Sequence, residues 1–561
     1  MKKGAFTFVL HTHLPYVREA GRWPFGEEML HEVTAESYIP LLDALYDLKE
    51  EGHKPRLTLG LTPILLEQLA DPGILSRLEI YLQERLELAK GDLDRYEREG
   101  HGHLSYLARF YYNWYENVLT SFRERYSRDL VGAFRRLQDE GTLEIITSAA
   151  THAYLPLMER DSTIHGQLKV GVDSYRHHFG RAPRGVWLPE CGYRPAYLEE
   201  RQYKPGIEEF LDDLGLRYFF TDTHALEGGP LLGKAAGDVV GPYGGVPRRK
   251  VVISEEPLAT KGTTFRPYFV HGTPVAVLGR NQRTGLQVWS AAHGYPGDYI
   301  YREFHRKSSS SGLRYWRVTG NVELGQKEFY DPYQAAGKAK EHANHFAHSV
   351  TEELSKYHHD TSEFGIVVSA YDTELFGHWW FEGVAWLKEV LAILGKSEEV
   401  ELTTAGAYLE EHPPSEALAL PESSWGQGGT HWTWLNPKTE WIWPLIHHAE
   451  RRMEELIERH RSDMHPVFEQ AARELLLLES SDWPFLISTG QAKEYATSRF
   501  QGHLARFNHL AYIASAGKVK EEDRTFLDLL AQVDNPFPHI DYLAFAKREG
   551  RSGVGTEGGV L

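Results

Sequence analysis

Ala5-Phe-Thr-Phe-Val-Leu10-His-Thr-His13 is the stretch on which the fold turns. Six uncharged residues, most of them β-branched or aromatic, run without interruption and stop on two imidazoles. A run this short, with this composition, reads as a buried strand rather than a helix. Side chains alternate along a strand, so His11 and His13 point the same way. The same arrangement recurs along the chain. Apolar runs at 56–61, 143–146, 185–188, 218–220, 275–278 and 364–369 end on Thr62-Pro63, Thr147-Ser148, Pro189-Glu190, Asp222 with His224, Gly279-Arg280 and Tyr371-Asp372 respectively. Helical patterns, such as 36–50 and 163–179, lie between several of them. Buried strands alternating with helices predict a parallel sheet. If that sheet closes, the strand C-termini line the active face, and these termini hold the most reactive side chains of the sequence. Seven runs predict an irregular α/β fold, a (β/α)7 barrel one strand short of the usual eight.

Two segments break the alternation. From Ile74 to about Glu140 the pattern is helical, with Leu75, Leu78, Leu82 and Leu86 on one face. From about Leu402 to Arg548 it is again helical, over 441–460, 467–479, 492–516 and 521–533. The expected division is therefore a barrel over 1–73 and 141–400, a helical insert over 74–140, an all-helical C-terminal domain over 401–548 and a flexible tail over 549–561. The stretch 227–247 is rich in Gly and Pro, lacks periodicity and follows the fifth strand, which predicts a mobile loop at the active face. Tyr243 is its only aromatic residue.

Composition limits the partners. With 61 basic and 79 acidic residues the net charge is −18, which disfavours nucleic acid and anionic membranes and suits a neutral polymer. The 14 Trp and 30 Tyr are a high aromatic content; most are expected to pack in the core, while flat rings exposed in a groove stack on sugar faces. The single cysteine, Cys191, rules out an internal disulfide framework and fits a reducing compartment. The opening apolar run is too short for a signal peptide, and no stretch is long enough for a membrane span, so the expected location is the cytoplasm. Nothing in the sequence sets a subunit number.

Two carboxylates carry the chemistry. Trp187-Leu-Pro-Glu190-Cys-Gly-Tyr193 places a Glu at a strand end among aromatic rings. Tyr371-Asp372-Thr-Glu374-Leu-Phe-Gly-His378-Trp379-Trp380 does the same for an Asp. Cleavage of a glycosidic bond needs two such groups, one as nucleophile and one as proton donor. Cys191 beside Glu190 is expected to face the barrel wall if the chain there is extended. The loop Trp425-Gly-Gln-Gly-Gly-Thr-His-Trp432-Thr-Trp434 carries three tryptophans among glycines, either facing the barrel mouth or plugging an inter-domain core. Trp289 is read as a substrate platform or as packing. His11-Thr-His13 also opens a second reading, a metal-dependent hydrolase or deacetylase with a further ligand from Asp222 or His224. The ligand set is incomplete, since Leu14-Pro15-Tyr16 follows the pair where a carboxylate is needed. A third reading, a glucan-binding protein without turnover, leaves the second carboxylate without a purpose.

These segments resemble glycoside hydrolase family 57. The matching motifs are His11-Thr-His-Leu-Pro-Tyr16, Gly60-Leu-Thr-Pro63, Trp187 to Tyr193, Ala370-Tyr-Asp-Thr-Glu374 and Asp482-Trp-Pro-Phe485 with Arg499. Trp23-Pro-Phe-Gly-Glu-Glu28, Val288-Trp-Ser and His293-Gly-Tyr-Pro-Gly-Asp298 are similar to the family's 1,4-α-glucan branching enzymes. The resemblance implies a retaining mechanism with Glu190 as nucleophile and Asp372 as acid/base. It further implies that Arg280, Gly297, Trp425 and Asp482 lie in the glucan site, and that His11 and His13 line the donor subsite; Trp434 is added to the substrate-binding set from the aromatic loop alone. No cofactor or metal is implied. Amylase and 4-α-glucanotransferase activities remain alternatives on the same site. Some longer members carry a C-terminal extension, which is expected to be absent here.

Overall fold

The structure is a computed structural model describing residues 2–22, 25–199, 202–228, 262–289, 294–459 and 464–548, with the backbone of 240–241 and 244–245. Each of the seven apolar runs forms a strand: β1 (Gly4–Thr12), β2 (Leu57–Leu61), β3 (Leu143–Ser148), β4 (Gly185–Trp187), β5 (Tyr218–Thr221), β6 (Ala276–Gly279) and β7 (Gly365–Asp372). They lie side by side in the order β7-β1-β2-β3-β4-β5-β6, all parallel. Every residue of β1 is buried because both faces of the sheet are covered. Phe6, Phe8 and Leu10 pack outward on the surrounding helices, whereas Ala5 and Val9 join the cluster reaching the C-terminal domain. Burying each large apolar side chain contributes roughly 1.5–3 kcal/mol, enough to fix which face is which. The two-residue period then carries His11 onto the interior face with Ala5 and Val9. It carries Asp372 there with Ile366, Val368 and Ala370.

The barrel is curled but not closed by a ladder. On its far side β6 pairs antiparallel with Tyr268–Val270 instead of with β7. The seam to β7 is bridged by Asn281, whose backbone N–H donates to the Val368 carbonyl at 2.9 Å. A short strand, Val400–Leu402, adds to the N-terminal half of β1, and β2 pairs with its C-terminal half.

Two long helices, α1 (Pro72–Glu99) and α2 (Gly102–Thr120), leave the barrel between β2 and β3. Asp71 caps α1 by accepting the Ile74 N–H at 2.8 Å, and Gly100 ends it in the left-handed region that a glycine adopts freely. The all-helical region begins at residue 443 rather than 401, because Val400–Leu402 and Ala417–Leu418 still pair in the sheet: α3 (Trp443–Glu458), α4 (His465–Leu478), α5 (Asp482–Thr489), α6 (Lys493–Ala516) and α7 (Glu521–Val533). Among the described residues no helix is long and apolar enough to cross a membrane.

Candidate active site

Parallel register sets His11 of β1 directly beside Asp372 of β7, at the C-terminal edge of the sheet. Trp187, at the end of β4, stacks on the His11 ring at 4.9 Å and 16°. Glu190 follows within one 3-10 turn, Pro189–Cys191. Here the chain departs from expectation. Glu190 (φ 62°) and Cys191 (φ 51°) both adopt the left-handed region, so the backbone is not extended. Cys191 is nevertheless buried in the core, as expected, on a turn rather than by strand alternation.

Such a turn in non-glycine residues persists only when its surroundings hold it. Residues 423–425 do so. Tyr193 and Ser423 exchange backbone hydrogen bonds at 2.8 and 3.0 Å, and the Trp425 N–H donates to the Glu190 carbonyl at 2.9 Å. The Trp425 indole N–H also donates to Glu190 Oε2 at 2.5 Å, fixing the carboxylate's rotamer. Trp425 therefore sits at the mouth; its ring lies 4.9 Å from that of Trp187 and 5.8 Å from the Arg280 guanidinium.

Arg280 follows β6 and is held by Asp222 through Nε at 3.0 Å and Nη2 at 2.8 Å. Burial disfavours its charge, but the adjacent Asp222 carboxylate outweighs that and raises its pKa. Asp222 is thus engaged by an arginine, which weakens its reading as a metal ligand.

The histidines form a network. His11 Nε2 lies 3.0 Å from His152 Nε2, and the His13 ring stacks on His152 at 3.9 Å. Burial, then the neighbouring His13, pushes the pKa of His11 and of His152 well below the usual imidazole value. Both are therefore neutral at pH 7, and one imidazole donates where the other accepts. His13 differs. Its Nδ1 lies 3.1 Å from Thr62 Oγ1 and its Nε2 lies 3.1 Å from Asp482 Oδ2. Burial opposes its charge, but Asp482, with Glu374 and Glu190 nearby, raises its pKa overall.

Three members of this network escaped the sequence reading. His152 lies four residues beyond Ser148, past the point where the strand pattern stops. Ser481 hydrogen-bonds His152 Nδ1 at 2.8 Å from the start of α5. Glu374 accepts the Tyr38 hydroxyl at 2.6 Å and the His13 N–H at 3.1 Å. Burial raises its pKa to about 8, and the charge of Asp372 adds to the rise. Only its position two residues after Asp372 could have pointed to it. Gly377 shapes this turn, since a Cβ there would meet the Glu36 carbonyl at 1.9 Å.

Glu190, Asp372, His11, His13, Arg280, Trp425 and Asp482 thus converge. The other expected residues have other neighbours. Trp434 is fully buried, stacked on Tyr154 at 4.2 Å, and so plugs the core between the domains. Gly297 is exposed at the end of the turn Tyr295–Gly297, whose Tyr295 is buried. Trp289 ends the helix Gln282–Trp289, tilted against Trp379 at 6.3 Å. Tyr243 lies outside the described residues. Among those residues, the two groups that bring three possible metal-ligand atoms together are Glu32, Glu36 and His378, and Glu474, His503 and Asp534. Neither includes His11 or His13. The first is packed between Arg302 and Arg314, whose charges oppose a cation.

Known proteins are similar to this chain over most of its length. A 1,4-alpha-glucan branching enzyme of Thermococcus kodakarensis is 45% identical over 95% of this chain and 77% of its own length. The crystal structure of that organism's family 57 branching enzyme, in complex with glucose and additives, superposes with a TM-score of 0.88 at 44% identity, covering 98% and 97% of the two chains. An alpha-amylase of Thermotoga maritima is similar at 30% identity and a TM-score of 0.81, covering 98% and 100%. Residues 445–545 match the family described as 1,4-alpha-glucan branching enzyme, C-terminal. Residues 7–421 match glycosyl hydrolase family 57, and the chain belongs to that family.

Proposed function

We propose that the protein is a 1,4-α-glucan branching enzyme that works by double displacement. Glu190 attacks the anomeric carbon of an α-1,4-glucan while Asp372 protonates the leaving 4-oxygen. This gives a covalent glycosyl-enzyme with inverted configuration. Asp372, now ionised, takes the proton from the 6-hydroxyl of an acceptor glucan, which displaces Glu190 and restores the α configuration as a branch. Neutral His11 lines the donor subsite, with His152 holding its Nε2 and Ser481 in turn holding His152, and His13 is held in place by Asp482. Trp425 and Arg280 form the wall beside the nucleophile.

One observation carries the choice of branching: the C-terminal region matching the branching-enzyme family supplies Ser481 and Asp482 to the histidine network. The likeness to an alpha-amylase keeps a second reading in view, with water as acceptor on the same site. A transferase must shield its intermediate from water, and we assign that task to the 227–247 loop with Tyr243 on its sequence character alone. The substrate is an α-glucan of the amylose or glycogen kind. The lone cysteine and acidic charge suit the cytoplasm.

Incubation with amylose followed by proton NMR tests the reading. New α-1,6 anomeric signals should exceed new reducing ends several-fold. Reducing ends alone would make the protein an amylase, and redistribution of α-1,4 lengths without branches would make it a 4-α-glucanotransferase.

A further inference from the structure

Helix α2 carries His103, Tyr106, Phe110 and Trp114 at i, i+3, i+7 and i+11, which is one face of a helix. A soluble helix normally buries such a face. This one is covered only in its second half, where Phe110 and Trp114 pack on Phe381 at 6.0 and 5.4 Å. The first half stays open: Tyr106 is 45% exposed, and His103 is also exposed.

The rings form a path rather than scattered contacts. His103 lies 5.9 Å from Tyr106 and 6.1 Å from Phe329, which is 47% exposed. Phe329 and Trp316 are cross-strand neighbours on one bridge, with rings 6.3 Å apart and within 29° of parallel. The Arg306 guanidinium covers the Trp316 ring at 4.0 Å and holds it in place. At the other end the rings are covered, with the Arg302 guanidinium 3.9 Å over Phe381. Phe381 belongs to the segment that follows Asp372, and Trp379 and Phe381 remain half-buried on either side of the fully buried Trp380. Trp379 in turn meets Trp289 at the end of the helix after β6.

We infer that this aromatic track is a remote binding site for the non-reacting part of an α-1,4-glucan chain. Spaced, partly exposed rings on the helix that leaves the barrel suit the apolar faces of successive glucose units in a neutral, curved polymer. The ring planes support this, since they turn by 43° from Phe329 to His103 and by 43° again to Tyr106. A flat apolar partner would gain less from rings so tilted. The inference rests on the proposed α-glucan substrate and adds a consequence: long chains are engaged far from the scissile bond, so the enzyme prefers them to short ones.

The double substitution Tyr106→Ala/Phe329→Ala tests it, since both side chains are exposed and the fold should survive, as an unchanged melting temperature would confirm. Wild-type protein should be retarded in a native gel containing amylose and not in one containing dextran, and the variant should be retarded several-fold less by amylose, with only the active site left to hold it. Its KM for long amylose should rise roughly tenfold with kcat little changed. Turnover of a short maltooligosaccharide should stay the same. Equal retardation of variant and wild type, equal retardation by dextran, or equal losses on long and short substrates would overturn the track. A wild type that does not act on amylose but is retarded by it through these rings would instead overturn the catalytic reading and leave the track standing.

Discussion

Trp425 grips Glu190 twice, by its indole N–H at 2.5 Å to the carboxylate and by its backbone N–H at 2.9 Å to the carbonyl. The proposed nucleophile is therefore positioned before any sugar arrives, which would leave little reorganisation for the reaction itself. Asp372, as the proposed acid/base, would have the complementary task of moving a proton, which gives it a testable signature. Asp372→Asn should slow amylose cleavage by roughly 10²–10⁴-fold yet spare a glucosyl fluoride, whose leaving group needs no proton. Equal losses on both, measured as kcat/KM, would make Asp372 structural. The His13–Asp482 pair gives a pH prediction. The pKa of His13 is raised in the fold, so the pair's contribution to stability is complete below the ordinary imidazole range and is lost as pH climbs through the raised value. In Asp482→Asn the titration of His13, followed by NMR, should move to lower pH. A titration that stays where it was would mean that Asp482 does not set the charge of His13.

The turn after β4 shows which parts of the structure the sequence made legible. The strands could be read because both sheet faces are covered and selection for apolar residues is continuous. Their ends could be read because His11, Glu190, Arg280 and Asp372 interrupt those runs. The left-handed conformations of His152, Glu190 and Cys191 could not, because no glycine or asparagine marks them; contacts from distant segments impose them. Each such residue costs of order 1–3 kcal/mol, which the surrounding hydrogen bonds offset. A second hidden element joins the barrel to the helices. Glu450 of α3 accepts backbone N–H groups of Glu159 and Arg160, and Glu479, after α4, accepts the Gln167 amide. Burial, with the Glu159 charge, pushes Glu450 up to about 8, and burial with the Glu450 charge pushes Glu479 well above the ordinary carboxylate range. Carboxyls with raised pKa favour the fold while protonated, so stability falls as pH rises from the ordinary carboxylate range through about 8. Glu450→Gln keeps the acceptor and removes the charge. Its melting temperature should exceed that of wild type by roughly a few degrees at alkaline pH and match it in mild acid. The reverse order in calorimetry would show that the pair is ionised and stabilising.

Taken whole, the molecule completes its site from both ends of the chain. The barrel gives both carboxylates, and the segment beyond residue 420 gives Trp425, Ser481 and Asp482. Only the family resemblance pointed to Asp482 beforehand, because no local pattern announces a contact between residues 13 and 482. The same limit explains why Trp434 was grouped with Trp425: nine residues apart in one loop, one reaches the nucleophile and the other fills the core. Choice of acceptor belongs to this level too. We expect Tyr243→Ala to lower the ratio of new branches to new reducing ends on amylose more than it lowers overall cleavage. An unchanged ratio would remove the 227–247 loop from the mechanism. All of this depends on Glu190 forming a covalent bond to the sugar, and one product distinguishes that from every rival. Glu190→Ala, incubated with azide and a glucosyl fluoride of α configuration, leaves room for the anion on the face that the carboxylate occupied. The account predicts a β-glucosyl azide, identified by its anomeric proton coupling; an α-glucosyl azide, or undiminished activity without azide, would contradict it.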